Sequence, residues 1–209
     1  MSRALIVTGT DTGIGKTVVA AALVHALNAG YWKPVQAGLD EETDREAVMR
    51  LARLPEDRAH PEAYRLKLPA SPHFAAAEEG IWIDPAKLVP PNHDGLLVIE
   101  GAGGALVPLS EPLLYADMFA EWRAPVVLVA RTSLGTINHS LLSIEALSAR
   151  NVPIAGIAFV GDPMPDTERT ICAIGQVNRL GRLPHLATVS YETLHPAFAE
   201  GFDLSELSL

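Results

Sequence analysis

Gly9-Thr10-Asp11-Thr12-Gly13-Ile14-Gly15-Lys16-Thr17 lies between two apolar runs, Ala4-Leu5-Ile6-Val7 and Val18-Val19-Ala20-Ala21-Ala22-Leu23-Val24. The first run reads as a buried strand and the second as the start of a helix. A glycine-rich turn between strand and helix, closed by Gly-Lys-Thr, suits phosphate. Its backbone N–H groups and the helix N-terminus point at an anion. Lys16 can reach terminal phosphates, and the Thr17 hydroxyl can sit on a magnesium ion. The usual pattern has a glycine five residues before the final Gly-Lys glycine. Here Thr10 holds that position and Gly9 lies one residue further out.

Composition sets outer limits. The chain has 209 residues, enough for one sizeable α/β domain, with 48% hydrophobic and 20% charged residues. Its formal net charge is −9. It carries no long basic run, so no nucleic-acid partner is expected. Cys172 is the single cysteine, which excludes an internal disulfide and a four-cysteine zinc site. No apolar run reaches membrane-spanning length and no cleavable apolar leader opens the chain, so no membrane association and a cytoplasmic location are expected.

Strand-like and helix-like segments alternate. Expected strands are Leu5–Thr8, Tyr31–Val35, Leu96–Glu100, Val126–Ala130, Ile154–Val160 and Leu183–Ala187. Expected helices are Lys16–Asn28, Thr43–Leu54, Leu113–Trp122, Thr136–Arg150 and Thr167–Leu180. Several strands are apolar at every position, as in a parallel sheet covered on both faces. The alternation implies a doubly wound α/β fold with a mainly parallel sheet and helices on both faces. Residues 55–91 hold seven of the sixteen prolines. They read as a loop-rich excursion with one or two short helices, within a single domain spanning residues 1–209.

Three further segments carry candidate chemistry. Lys33, in Tyr31-Trp32-Lys33-Pro34-Val35-Gln36-Ala37-Gly38, stands at the carboxyl end of the second strand, where ligands of open α/β sheets bind. It reads either as a surface lysine or as a charge that neutralises phosphate. Leu96-Leu97-Val98-Ile99-Glu100 is an apolar strand ending in a carboxylate, followed by a Gly101-Ala102-Gly103-Gly104 loop. An acid so placed can support magnesium, or it can simply face solvent. Asp44 follows Asp40-Glu41-Glu42. It can cap a helix or ligate magnesium, and the pattern alone does not choose among these four acids. Ser71-Pro72-His73 reads as a short polar turn with an exposed histidine. Asn138 and His139 read as polar residues at a helix N-terminus.

Taken together, these segments resemble one family, dethiobiotin synthetase, from residue 5 to about 187. The matching pieces are the Gly9–Thr17 loop with its extra spacing residue, Lys33-Pro34-Val35-Gln36-Ala37-Gly38, Ser71-Pro72-His73, Ile99 to Gly104, and Leu134-Gly135 with Ile137-Asn138-His139. The resemblance implies a fold of the phosphate-loop (P-loop) NTPase type and an ATP-dependent cyclo-ligase of biotin synthesis. Its substrates are 7,8-diaminononanoate, carbon dioxide and ATP, with Mg2+ as cofactor. An amine takes up carbon dioxide as a carbamate, the carbamate attacks the γ-phosphate, and the second amine closes a ureido ring with loss of phosphate.

The resemblance also implies roles. Lys33 and Lys16 are catalytic, flanking the transferred phosphoryl group. Thr17, Asp44 and Glu100 hold magnesium. Thr12, Gly13, Ile14, Gly15, Lys16, Thr17, Val18, Glu100, Gly101, Gly103, Leu183 and Pro184 contact nucleotide. Thr12, Lys33, Ala37, Gly101, Ala102, Gly103 and Asn138 contact substrate, Asn138 across a homodimer interface. Ala37 stands where a serine is common in the family, and Phe159-Val160-Gly161-Asp162 lacks the Asn-Asp that reads adenine in some members. The base preference therefore stays open.

Two other readings fit less well. Partitioning-type ATPases, which act as nucleotide-switched binding proteins, carry a lysine at the position of Asp11. An aspartate cannot take that lysine's place on a partner's nucleotide. An amidating ligase of the glutamine-hydrolysing kind needs a further domain with a nucleophilic cysteine, whereas Cys172 falls in a helical pattern.

Overall fold

The computed structural model describes residues 3–207. Seven strands form one parallel sheet in the order β4-β2-β6-β1-β7-β8-β9. These are β1 (Arg3–Gly9), β2 (Gly30–Trp32), β4 (Ala59–His60), β6 (Leu96–Gly104), β7 (Val126–Arg131), β8 (Ile154–Val160) and β9 (Arg179–Leu183). Two short strands, β3 (Val35–Ala37) and β5 (Tyr64–Leu66), pair in a separate parallel ribbon. The expected α/β fold is therefore present.

Alternation along the strands sorts the core into two faces. Leu5 and Val7 of β1 and Val127 and Val129 of β7 pack with α1 (Lys16–Ala26), α2 (Asp44–Ala52) and α7 (Tyr191–Gly201). Ile6 and Val126 turn to the opposite face. There they meet Tyr115 and Phe119 of α4 (Tyr115–Trp122) and Ala75 and Ala76 of α3 (Pro72–Glu78). On the same side, Leu128 and Ala130 pack against α5 (Thr136–Ser148) and α6 (Pro165–Gly175). Burial on both faces explains why the central strands lack any polar alternation.

The differences from the expected elements have local causes. The expected strand Tyr31–Val35 breaks at Lys33-Pro34, because Pro34 has no N–H for a ladder. Its carbonyl instead accepts from the N–H groups of Ala63 and Tyr64. The chain thereby leaves the main sheet for the β3–β5 ribbon at Lys33. The last strand runs Arg179–Leu183 rather than Leu183–Ala187, since Pro184 ends it. Helix α6 stops at Gly175, where Gln176 takes a left-handed conformation with φ 51°, instead of running to Leu180. Gly101–Gly104 is the end of strand β6, not a loop. Ser71-Pro72-His73 is a helix start, with Pro72 in the first turn of α3. Helix α7 was not expected, as Pro196 interrupts its pattern.

Candidate active site

Gly9, Gly13 and Gly15 give the loop its shape. A side chain at Gly9 would meet Ile14 Cδ1 at 2.6 Å, so the displaced glycine is the floor on which the buried Ile14 packs. Gly13 and Gly15 have φ of 67° and 93°, left-handed values that favour glycine. Gly15 then caps α1 and turns its N-terminus toward a cavity of about 610 Å³.

That cavity is lined by residues 12–18, by Lys33, Gln36, Ala37, Asp44 and Glu100, by Ala102 and Gly103, by residues 69–72 and by Val107. It lies beyond the carboxyl ends of β1 and β6, neighbouring strands in the sheet. Among the expected site residues, Thr12, Gly13, Ile14, Gly15, Lys16, Thr17, Val18, Lys33, Ala37, Asp44, Glu100, Ala102 and Gly103 meet there. Ile14 gives its side chain to the core. Gly101 stands just behind, its carbonyl accepting from Lys33 Nζ at 3.4 Å. Three more residues also lie outside this cavity. Asn138 is exposed on the first turn of α5, Leu183 is buried in the core at the end of β9, and Pro184 follows it half-buried.

A compact charge cluster fills the cavity floor. Thr17 Oγ1 lies 2.8 Å from Asp44 Oδ1 and 2.8 Å from Glu100 Oε1. Lys33 Nζ lies 2.5 Å from Asp44 Oδ2 and 3.3 Å from Glu100 Oε1. The Tyr31 hydroxyl donates to Glu100 Oε2 at 2.9 Å. Lys33 and Glu100 are 3% and 1% exposed, so each charge depends on its partners. Burial pushes the Glu100 carboxyl up, against the pull of Lys33. Burial also works against charge on Lys33, but the carboxylates of Glu100 and Asp44 outweigh it and hold the ammonium above its ordinary range. Asp44 is held low, because the Lys33 charge overcomes the effect of burial. Lys16 has no such contact. Burial lowers its pKa to about 8, against the opposing charge of Glu100, and its Nζ donates to its own loop at the Asp11 carbonyl, 2.6 Å away.

The arrangement explains Asp44 over its acidic neighbours. Asp40, Glu41 and Glu42 lie in an exposed stretch, whereas Asp44 opens α2 behind the Thr43–Glu46 capping box. Thr43, not Asp44, is the cap. Two polar contributors escaped the motif reading. Tyr31 reaches Glu100 because both side chains leave paired strands on one face, with Tyr31 opposite Val98. Gln36 binds Asp44 through its amide, and only its place in the quoted Lys-Pro-Val-Gln stretch hinted at it.

The donor set fits a small hard cation. Two carboxylates converge within hydrogen-bonding distance of one hydroxyl, and a lysine ammonium pairs with both of them in the role of positive charge. Among the described residues no group of three or more His, Cys, Asp or Glu side chains could hold a metal.

Comparison with known proteins places the site in context. A family profile described as "AAA domain" matches residues 3–193. The chain is 62% identical over 206 residues to the ATP-dependent dethiobiotin synthetase BioD of Rhodopseudomonas palustris (strain BisA53), covering 99% of this chain and 97% of that protein. It is 59% identical, with the same coverage, to the protein of the same name from Agrobacterium fabrum (strain C58). Among solved structures, a ParA family ATPase from Chlorobium tepidum TLS aligns with a TM-score of 0.56 at 11% identity, over 95% of this chain and 98% of that one. That likeness shows a shared fold.

Proposed function

Because this chain belongs to the ATP-dependent dethiobiotin synthetase family, we propose that its phosphate loop and carboxylate–lysine cluster together perform the ligation. The chain is an ATP-dependent carbon–nitrogen cyclo-ligase that forms dethiobiotin from 7,8-diaminononanoate and carbon dioxide. One amine of the substrate adds to carbon dioxide as a carbamate. A carbamate oxygen displaces ADP from the γ-phosphorus and gives a carbamic-phosphoric anhydride. The second amine attacks the carbonyl, the ring closes and phosphate departs. One domain carries every step.

The observation that carries this reading is the meeting of Lys16, Thr17, Lys33, Asp44 and Glu100 in one cavity at the loop. Phosphoryl transfer needs positioning and charge neutralisation more than covalent chemistry. Residues 12–18 cradle the phosphates through backbone N–H groups. Lys16 exchanges the Asp11 carbonyl for phosphate oxygen. Thr17, Asp44 and Glu100 would hold Mg2+, which supplies charge neutralisation at the transferring group when bound. Lys33, held between Asp44 and Glu100, would face the carbamate and the γ-phosphate and neutralise their charge. Thr12, Ala37 and the backbone of residues 101–103 orient the diamine. The phosphoryl transfer needs no general base, as the carbamate oxygen is already a nucleophile, and the protons shed by the two amines leave through water or phosphate oxygens.

Leu183 and Pro184 border the nucleoside end. Val160 lies 3.4 Å from a side chain built at Gly15, and the Gly161 N–H donates to the Leu183 carbonyl. For Asn138 we propose a substrate contact across a homodimer interface. Supporting this is a second cavity of about 410 Å³ that shares Thr12 with the first and includes Leu106, His139 and Leu142. Nearby Leu134 is fully exposed at 106%. Light scattering tests the dimer, and a monomer at working concentration would exclude this role for Asn138. No helix among the described residues is long and apolar enough to cross a membrane, and for the location we propose the cytoplasm, on the ground of the family's biosynthetic activity.

The ligase reading is tested with purified protein, Mg-ATP, 7,8-diaminononanoate and bicarbonate. Dethiobiotin identified by mass, with one ADP released per product, is the expected result. ATP hydrolysis without a ureido product would refute it. The fold alone also serves partitioning ATPases, but Asp11 is a carboxylate where their lysine stands. Here it pairs with Arg131 of its own chain at 2.7 Å.

A further inference from the structure

We propose that Gln36 is a positioning residue that presents Asp44 to the cation site. The inference rests on the reading of Asp44 as a magnesium ligand. Gln36 lies in the middle of β3, between Val35, which enters the core, and Ala37, and it is 7% exposed at the cavity wall. A primary amide in that setting must have its hydrogen bonds satisfied. All of them run to the connection between β3 and α2. Nε2 donates to the carbonyls of Ala37 and Gly38, both at 3.2 Å. Oε1 accepts from the backbone N–H of Asp44 at 3.2 Å.

The consequence is mechanical. Asp44 is the first residue of α2, and its N–H belongs to the group of donors that a helix leaves without partners at its N-terminus. The Thr43–Glu46 capping box ties the helix start to itself. Gln36 ties it to the sheet side of the cavity. Between these ties residues 39–42 are exposed or half-buried, so the amide closes the base of a short loop. Both carboxylate oxygens of Asp44 are engaged, Oδ1 with Thr17 and Oδ2 with Lys33. A small displacement of the helix start therefore misplaces one donor of the cation site while leaving the phosphate loop intact.

The test is a double-mutant cycle between Gln36 and Asp44, read by Mn2+ titration in the electron paramagnetic resonance spectrum with a non-hydrolysable ATP analogue present. Gln36→Met keeps length and volume and removes the amide. The expected result is Mn2+ binding weakened by about tenfold or more, the range found when partners of metal ligands are removed, with metal-free nucleotide affinity unchanged. Gln36→Asn, one methylene too short, is expected to act in the same direction and serves if the methionine variant does not fold. In an Asp44→Asn background, Gln36→Met is expected to add no further loss, because its effect runs through Asp44. Three outcomes overturn the inference. One is wild-type Mn2+ affinity in both Gln36 variants. Another is a full additional loss in the Asp44→Asn background. The third is a loss confined to metal-free nucleotide binding. If Asp44→Asn alone binds Mn2+ normally, the assignment of Asp44 itself fails, and this inference with it.

Discussion

Replacing Lys33 by methionine removes the positive centre of the cluster while keeping most of its volume. Glu100 is 1% exposed and retains only Thr17 and Tyr31 as partners, while Asp44 loses its 2.5 Å contact. Breaking a buried ion pair by removing one partner costs about 3–5 kcal/mol. For a chain of this size each kcal/mol moves Tm by about 2–4 °C, so the nucleotide-free variant melts roughly 6–20 °C below the wild type at pH 8. The pH dependence follows from the direction of the Glu100 shift. Its folded-state pKa is raised by burial, and removing Lys33 takes away the main influence that lowers it. A carboxyl with a raised folded pKa binds protons in the folded state before the unfolded one does. Its penalty is fully present above the folded pKa and disappears as pH falls toward about 4.3, the unfolded value. The Tm difference between variant and wild type should therefore narrow steadily from pH 8 to pH 5 in calorimetric scans. A divalent cation, binding only the folded form, should stabilise the variant by about 2.7 kcal/mol at a hundred times its Kd, and should narrow the difference to the extent that it binds the variant more tightly than the wild type. In turnover, kcat should fall by about 10²–10³ or more, as when a charge-stabilising donor is lost, with a much smaller change in ATP affinity. A Tm difference that is absent at pH 8, or that does not vary with pH, would refute the electrostatic account. Equal losses of kcat and of ATP affinity would show that Lys33 serves only to hold nucleotide.

Other consequences are equally specific. Glu100→Gln keeps the shape and the Tyr31 contact but removes a cation donor. If Glu100 holds magnesium as proposed, this should raise the magnesium concentration for half-maximal activity by about 10–100-fold, and an unchanged magnesium dependence would oppose the proposal. Gly15→Ala forces a left-handed φ of 93° on a residue with a Cβ. It should cost about 1–2 kcal/mol of stability, seen in urea denaturation, and should weaken nucleotide binding measured by calorimetry. His60 Nε2 and His93 Nδ1 lie 3.1 Å apart at the β4 edge of the sheet, and burial lowers both pKa values. The unfolded chain then takes up protons first, so this pair's stabilisation is full above about pH 6.5 and is lost on acidification through the folded values. His60→Gln should flatten the slope of Tm between pH 5 and 7, and an unaltered slope would place the titration elsewhere.

Legibility in the sequence followed the range of the interactions. The phosphate loop was readable because its requirements are local: left-handed glycines, a lysine and a threonine in fixed order beside two apolar runs. Central strands were readable because burial on both faces leaves no polar residue in them. The strand ends were harder. Pro34 and Pro184 stop ladders that hydrophobicity alone would extend, and α7 hides behind Pro196. The dual role of Gly9 was also hidden, since only packing shows that Ile14 rests on it.

By itself the sequence determined the fold class, the phosphate cradle and the family resemblance, all properties of short segments and their order. Tertiary structure decided which of four acids meets Thr17, because the capping box and Gln36 set the start of α2 against the first turn of α1. It also decided that Lys33 is buried between two carboxylates rather than exposed at a strand end. Those outcomes depend on pairing β2 with β6 across more than sixty residues of intervening chain. The energy of a buried charge is set by the partners that such pairing supplies, and no local pattern records them.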